Sequence, residues 1–154
     1  MPNTYTRLYI HCVFAVKFRK AILESSWDER LRLYITGTVE NNGHTMIAVN
    51  NVSDHLHFLV GLNPNQSISS MMQLVKGDSA EWINKQKFTS NKFHWQGGYA
   101  AFSHSKSQLN SVANYIINQQ EHHKKINFLD EYVMMLKNSS IDFDERYIFK
   151  PLQD

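Results

Sequence analysis

The sequence predicts an α+β fold of the ferredoxin-like, split β-α-β type. An antiparallel sheet carries helices on one face, and further helices follow at the C-terminal end. Three observations predict it. Apolar residues alternate with period 2 in several short segments, as half-buried strands require. Between those segments lie two stretches with apolar residues at helical spacing. The order of the segments is β-α-β-β-α-β and then helices only, which is the split βαβ arrangement.

The first strand is read from Leu8, Ile10, Cys12, Phe14 and Val16, all apolar, with Tyr9, His11, Val13 and Ala15 on the opposite face. A basic stretch, Lys17-Phe18-Arg19-Lys20, closes it. Ser26-Trp27-Asp28-Glu29 reads as a capping box that opens the first helix. Its apolar stripe is Leu31, Tyr34, Ile35, Thr38 and Val39, and Gly43 provides the stop. Strands follow at about 45–50 and 55–62, separated by a turn at 51–54, and Asn63-Pro64-Asn65 breaks the second of them. Ile68, Met71, Met72, Val75, Ser79, Trp82 and Ile83 mark the second helix. A loop rich in aromatics spans 93–98 and a short strand 99–103. Ser107 is expected to cap a third helix running to about residue 122, and a fourth is expected over 129–137.

Composition narrows the function classes. The chain of 154 residues is expected to form one domain, 1–154, and its net charge of +2 is too small to announce a polyanion partner. With 42% hydrophobic residues, including 9 Phe, 7 Tyr and 3 Trp, it can build a core, which excludes a disordered chain. No stretch approaches the ~18 consecutive apolar residues of a membrane span, and residues 1–7 lack the order of a signal peptide. A lone cysteine, Cys12, excludes an intrachain disulfide and a cysteine metal cluster. A cytoplasmic protein without membrane contact is the expectation. The unusual count is 8 His.

Two of those histidines form His55-Leu56-His57 within a strand. Residues i and i+2 share a face and lie about 6–7 Å apart. Leu56, Phe58, Val60 and Leu62 occupy the other face, so the two imidazoles stand together on the non-core side. That pair can chelate a metal, or it can be two ordinary surface histidines. In the third helix, with Leu109 at zero and ~100° per residue, Tyr115 falls at roughly 240° and Gln119 at roughly 280°. Both therefore flank the apolar stripe of Val112, Ala113, Ile116 and Ile117, one turn apart. Their polar tips can converge on one small volume, or Tyr115 can snorkel at the core edge beside a solvated Gln119.

An ordered series of segments resembles a known family. It runs through His11-Cys12-Val13-Phe14 with Lys17, Asp54-His55-Leu56-His57-Phe58-Leu59-Val60, Ser67-Ile68-Ser69-Ser70 to Lys76-Gly77, Trp95-Gln96-Gly97-Gly98-Tyr99, and Tyr115-Ile116-Ile117-Asn118-Gln119. The tail Asp144-Glu145-Arg146-Tyr147 fits as well, so the resemblance covers about residues 8–149. The chain resembles the single-tyrosine transposases of the HUH endonuclease superfamily, which mobilise insertion sequences through single-stranded DNA.

The resemblance implies Tyr115 as nucleophile and His55, His57 and Gln119 as metal ligands. It implies Mg²⁺ or Mn²⁺, no small-molecule cofactor, and single-stranded DNA with hairpin ends as substrate. It also implies a homodimer with active sites composed in trans. Gln119, where a related branch tied to repetitive palindromes carries Asn, points to the insertion-sequence branch. Two imidazoles and an amide suit Mn²⁺, Zn²⁺ or Co²⁺ better than the oxygen shell of Mg²⁺.

Lys17, Arg19 and Lys20 form one local basic patch and Lys76, Lys85 and Lys87 another. Either suits phosphate contacts, and Trp95, Phe93 or Tyr99 can stack on unpaired bases. Each is equally readable as solvated lysine or core aromatic. Asp54 is a candidate partner orienting a histidine, or a turn residue. His11 is a candidate lining residue. His122 falls near the Tyr115 edge, though as a surface histidine it needs no role. Two rival functions remain: an HUH nickase of the replication-initiator or relaxase type, and a non-catalytic ferredoxin-like nucleic-acid binder.

Overall fold

The computed structural model describes residues 3–143. The tail segment 144–147 and the remainder of the resemblance to residue 149 lie outside the described residues, as do the ends of the expected 1–154 domain. Four strands form one antiparallel sheet: β1 (Tyr9–Ala15), β2 (Thr45–Asn51), β3 (His55–Gly61) and β4 (Ala100–His104), in the order β2-β3-β1-β4. Helices α1 (Asp28–Asn41) and α2 (Ile68–Gln86) link them in the split βαβ order. Three helices follow: α3 (Leu109–Ile117), α4 (Gln119–His122) and α5 (Phe128–Asn138). None of the helices among the described residues is long and apolar enough to cross a membrane.

The period-2 alternation sorts side chains onto two faces. Ile10, Cys12, Phe14 and Val16 of β1 and Leu56, Phe58 and Val60 of β3 face α1 and α2. There they meet Leu31, Ile35 and Val39 of α1 and Met71, Met72, Val75 and Ile83 of α2, forming the main core. The opposite face is covered by the C-terminal helices. It holds two smaller apolar clusters, one around Val13, Ala15, Phe102, Phe128, Tyr132 and Leu136, the other around Ala48, Leu59 and Ile116. Polar side chains lie between them.

Local details depart from the sequence reading at several ends. Helix α1 begins at Asp28 without the expected Ser26 box; its N-cap is Trp27, whose side chain makes no capping bond. The start is set instead by a turn, with Trp27 N–H and Asp28 N–H both donating to Glu24 O, and by the Trp27 ring stacked on Phe88 at 4.8 Å. Gly43 does end α1, in the left-handed region at φ 84°. The cap before α3 is Ser105, not Ser107: Ser105 and Gln108 form a reciprocal capping box around a 3₁₀ turn. The third helix is also interrupted at Asn118, so α4 starts afresh at Gln119.

Candidate active site

Strand β3 presents His55 and His57 on the face away from the main core, and both are fully buried. Two neighbours fix their rings. The Asp54 carboxylate lies 2.7 Å from His55 Nδ1, and His11 Nε2 lies 2.8 Å from His57 Nδ1. A carboxylate only accepts, so His55 Nδ1 is the donor and its Nε2 turns inward. Burial disfavours charge on His55, yet the hydrogen bonds and charges of Asp54 and Glu131 outweigh it and raise its pKa. For His57 burial prevails over Glu131 and pulls the pKa down to about 4. His11 is likewise held well below its ordinary value, by burial and by the charges of His57 and His104.

The break at Asn118 brings the α3–α4 side chains to this pair. Asn50 of β2 donates through Nδ2 to the carbonyls of Ile116 and Ile117, at 3.0 and 2.8 Å, and to Gln120 Oε1 at 2.8 Å. It thereby satisfies carbonyls that the end of α3 would leave orphaned. Gln120 Nε2 donates back to Asn50 Oδ1 and Asn51 O. With the helix end pinned to the sheet, Gln119 is fully buried, its Oε1 3.4 Å from His55 Nε2. The half-buried Tyr115 packs edge-on to His57, with ring centroids 5.8 Å apart. His122 Nε2 is 3.4 Å from the Tyr115 hydroxyl.

The residue at the centre is one the sequence reading missed. Glu131 of α5 is 2% exposed, and its ion-pair partners are all histidines. Oε1 lies 2.9 Å from His123 Nε2, 3.1 Å from His57 Nε2 and 3.3 Å from His55 Nε2. Oε2 accepts from the Tyr115 hydroxyl and, at 3.2 Å, from Gln119 Nε2. Burial alone would raise the Glu131 pKa, but hydrogen bonds from His123, His55 and His57 hold it far below the carboxylate range. Tyr115 moves the other way. Burial first, then its hydrogen bond to Glu131 and the charge there, raise the phenol well above its ordinary value.

A signal for Glu131 was present. It sits on the stripe of Phe128, Tyr132, Met135 and Leu136, three residues after one member and four before another, so helical phase alone buries its carboxylate. A buried carboxylate needs countercharge. His123, one turn beyond Gln119, continues the edge that carries Tyr115.

The centre fits a divalent ion. One ligand atom each from His55, His57, His123 and Glu131 lies within 4.8 Å of all the others. Imidazole nitrogens around a carboxylate oxygen require a proton or a cation between them, and this donor set suits Mn²⁺ among the expected ions.

The expected DNA-contact residues scatter. Lys17 and Lys20 are exposed and Arg19 half-buried at the end of β1, in a turn where Phe18 and Arg19 are left-handed. Val16 N–H donates to Asp54 O at 2.9 Å, so this basic turn begins beside the histidine site. Trp95 must be corrected. It is 8% exposed, packs against Phe14 and Phe93, and donates from Nε1 to Ser79 Oγ at 2.9 Å. Its faces are used by the core and are closed to a base. Phe93 is buried likewise. Lys76 is also otherwise engaged: its ammonium donates to Gln96 O and Gly98 O at 2.7 and 2.8 Å, fastening the 93–98 loop to α2.

Comparison with known proteins agrees with this architecture. Residues 4–119 match the family described as IS200-like transposases. The ISDra2 transposase TnpA of Deinococcus radiodurans is 24% identical over 121 residues, covering 75% of this chain and 86% of that protein. The transposase for insertion sequence element IS200 of Salmonella typhimurium is 26% identical over 130 residues, covering 80% and 84%. Among solved structures, a putative transposase from Deinococcus radiodurans superposes with a TM-score of 0.63 at 22% identity, over 77% of this chain and 95% of that one. A REP-associated tyrosine transposase bound to a REP hairpin superposes with 0.61 at 12% identity, over 100% and 93%. The sheet, the histidine pair on β3, the tyrosine-bearing helix and the match over three quarters of its length lead to one conclusion: the chain belongs to the IS200-like family of single-tyrosine HUH transposases.

Proposed function

We propose that this transposase cleaves and rejoins single-stranded DNA at hairpin-bearing element ends, using Tyr115 as nucleophile and a divalent metal. One observation carries the reading: the Tyr115 hydroxyl meets a buried His55/His57 pair through Glu131. His55 and His57 would hold the ion; Gln119, which the resemblance implies as the third ligand, has its Oε1 3.4 Å from His55 Nε2. When bound, Mg²⁺ or Mn²⁺ supplies Lewis-acid polarisation of the scissile phosphate.

The chain's residues do the rest. Asp54 and His11 lock the ring orientations, so the two Nε2 atoms stay aimed inward. The Tyr115 oxygen attacks phosphorus, the bond to the 3′ oxygen breaks, and a 5′-phosphotyrosine and a free 3′-OH result. The phenol rests protonated, so attack passes its proton to a neighbour. Glu131 and His122 are both in contact with the hydroxyl. Because the phosphotyrosine keeps the energy of the phosphodiester, another 3′-OH can reverse the step and join strands without ATP. Lys17, Arg19 and Lys20 offer charge to the approaching backbone. The proposal includes a single catalytic domain acting as a homodimer.

The test is incubation with single-stranded oligonucleotides carrying the hairpins that flank the gene, plus Mn²⁺, followed by a denaturing gel. A covalent protein–DNA band is expected from the wild type, lost on chelation and in Tyr115→Phe and His57→Ala. A band that persists in Tyr115→Phe overturns the nucleophile; wild type that binds the hairpins without ever forming a band favours the non-catalytic rival. Mixing the two variant proteins decides composition, since adducts reappear only if one chain's tyrosine works at its partner's histidines.

A further inference from the structure

We infer that the metal centre is completed by His123 and Glu131, two residues of the C-terminal segment. Gln119 then holds Glu131 in place. The inference rests on the metal-dependent reading above and goes beyond it in the ligand set. The family match ends at residue 119, so both residues lie outside it.

The division of labour within one carboxylate carries the argument. Oε1 faces three imidazole nitrogens, those of His55, His57 and His123. Oε2 faces the Tyr115 hydroxyl, the Gln119 amide and His122. Gln119 Nε2 donates to Glu131 Oε2 at 3.2 Å, closer than its Oε1 comes to His55 Nε2 at 3.4 Å. Its amide thus braces the carboxylate. The outcome is a centre of three imidazoles and one carboxylate oxygen, the other oxygen of that same group being bonded to the nucleophile. Glu131 therefore links Tyr115 to the metal site through the two oxygens of one buried carboxylate. Three nitrogens and one oxygen also move the preference away from Mg²⁺, which takes oxygen ligands and retains water, toward Mn²⁺, Co²⁺ or Zn²⁺. Asp54 and His11, each bonded to the outer nitrogen of a ligating histidine, are the supporting contacts such a centre needs.

The experiment is Mn²⁺ titration of the full-length protein, with the free-ion EPR signal reporting binding. Glu131→Gln and His123→Ala are each expected to weaken binding by ~10–100-fold or more, and Gln119→Ala by less. Wild-type affinity in Glu131→Gln and His123→Ala, with loss in Gln119→Ala alone, overturns the assignment. A second measurement needs no variant. In ¹⁵N-histidine spectra of the wild type with Zn²⁺, three imidazole nitrogens are expected to shift on binding, whereas a shift of only two overturns the role of His123. Failure of the transposase reading looks different. Wild type would then bind Mn²⁺ with this ligand dependence yet form no tyrosine adduct on any flanking hairpin.

Discussion

The two faces of one sheet share the same strands and the same burial, yet they are built by different rules. On the face toward α1 and α2, Phe14, Leu56, Phe58 and Val60 pack into the main apolar core. On the other face the neighbouring positions of the same strands carry His11, His55 and His57, equally buried, under helices that add Gln119 and Glu131. The first face is held by area and close packing. The second is held by directional bonds, each of which needs a particular partner. The comparison teaches that burial alone does not identify a core. What separates the faces is whether the buried groups need one another.

The contrast can be broken most strongly on the apolar side. Phe58→Ala removes a ring at 0% exposure that packs edge-on to Phe14, and it is expected to lower stability by about 3–5 kcal/mol in urea unfolding. A loss below 1 kcal/mol would mean that the face is not close-packed.

The polar side responds to pH instead. His57 holds its pKa at about 4 in the fold against an ordinary 6.5. Between those values the unfolded chain binds more protons, so stability falls as pH is lowered. His11 acts with the same sign. His55, with a raised pKa, has its stabilisation fully present below 6.5 and offsets little in this window. Chelator-treated protein is expected to lose about 2 kcal/mol from pH 6.5 to 5, measured by urea midpoints. A flat profile would show that His57 and His11 are not held neutral.

The smallest effect sharpens the comparison. Glu131→Gln keeps the volume, and the imidazoles around it can shed protons, so no charge is stranded. The metal-free variant is expected to lose only about 1–2 kcal/mol in the same assay, less than Phe58→Ala, despite losing a residue at the centre of the site. A loss as large as that of Phe58→Ala would make Glu131 a structural keystone.

How much could be read from the sequence follows from the range of each signal. The strands, α1 and α2 were legible because their apolar residues repeat locally, and so was the pairing of His55 with His57 and of Tyr115 with Gln119, through spacings of two and four. Glu131 was not read, since it meets His57 across 74 residues and only the docking of α5 brings them together. The histidine partners Asp54 and His11 were open to two readings, because one strand does not state what covers it. Trp95 was open to two readings for the opposite reason: an aromatic in a loop can stack on a base or join the core, and here the main core closes on it. Ser105 and Ser107 are both plausible caps by type, and the Gln108 side chain decides between them.

The alternation along β3 has one more consequence, for how the sheet assembles. In the native pairing Val13 stands opposite His57 and Ala15 opposite His55, while Phe58 pairs with Cys12. A slip of one residue would turn both histidines into the apolar core and aim Leu56 and Phe58 at Gln119 and Glu131. His55 and His57 would then be buried away from Asp54, His11 and Glu131, the partners that satisfy them here. The row of buried histidines therefore also helps to fix strand alignment, because only the native register gives their ring nitrogens the partners they have.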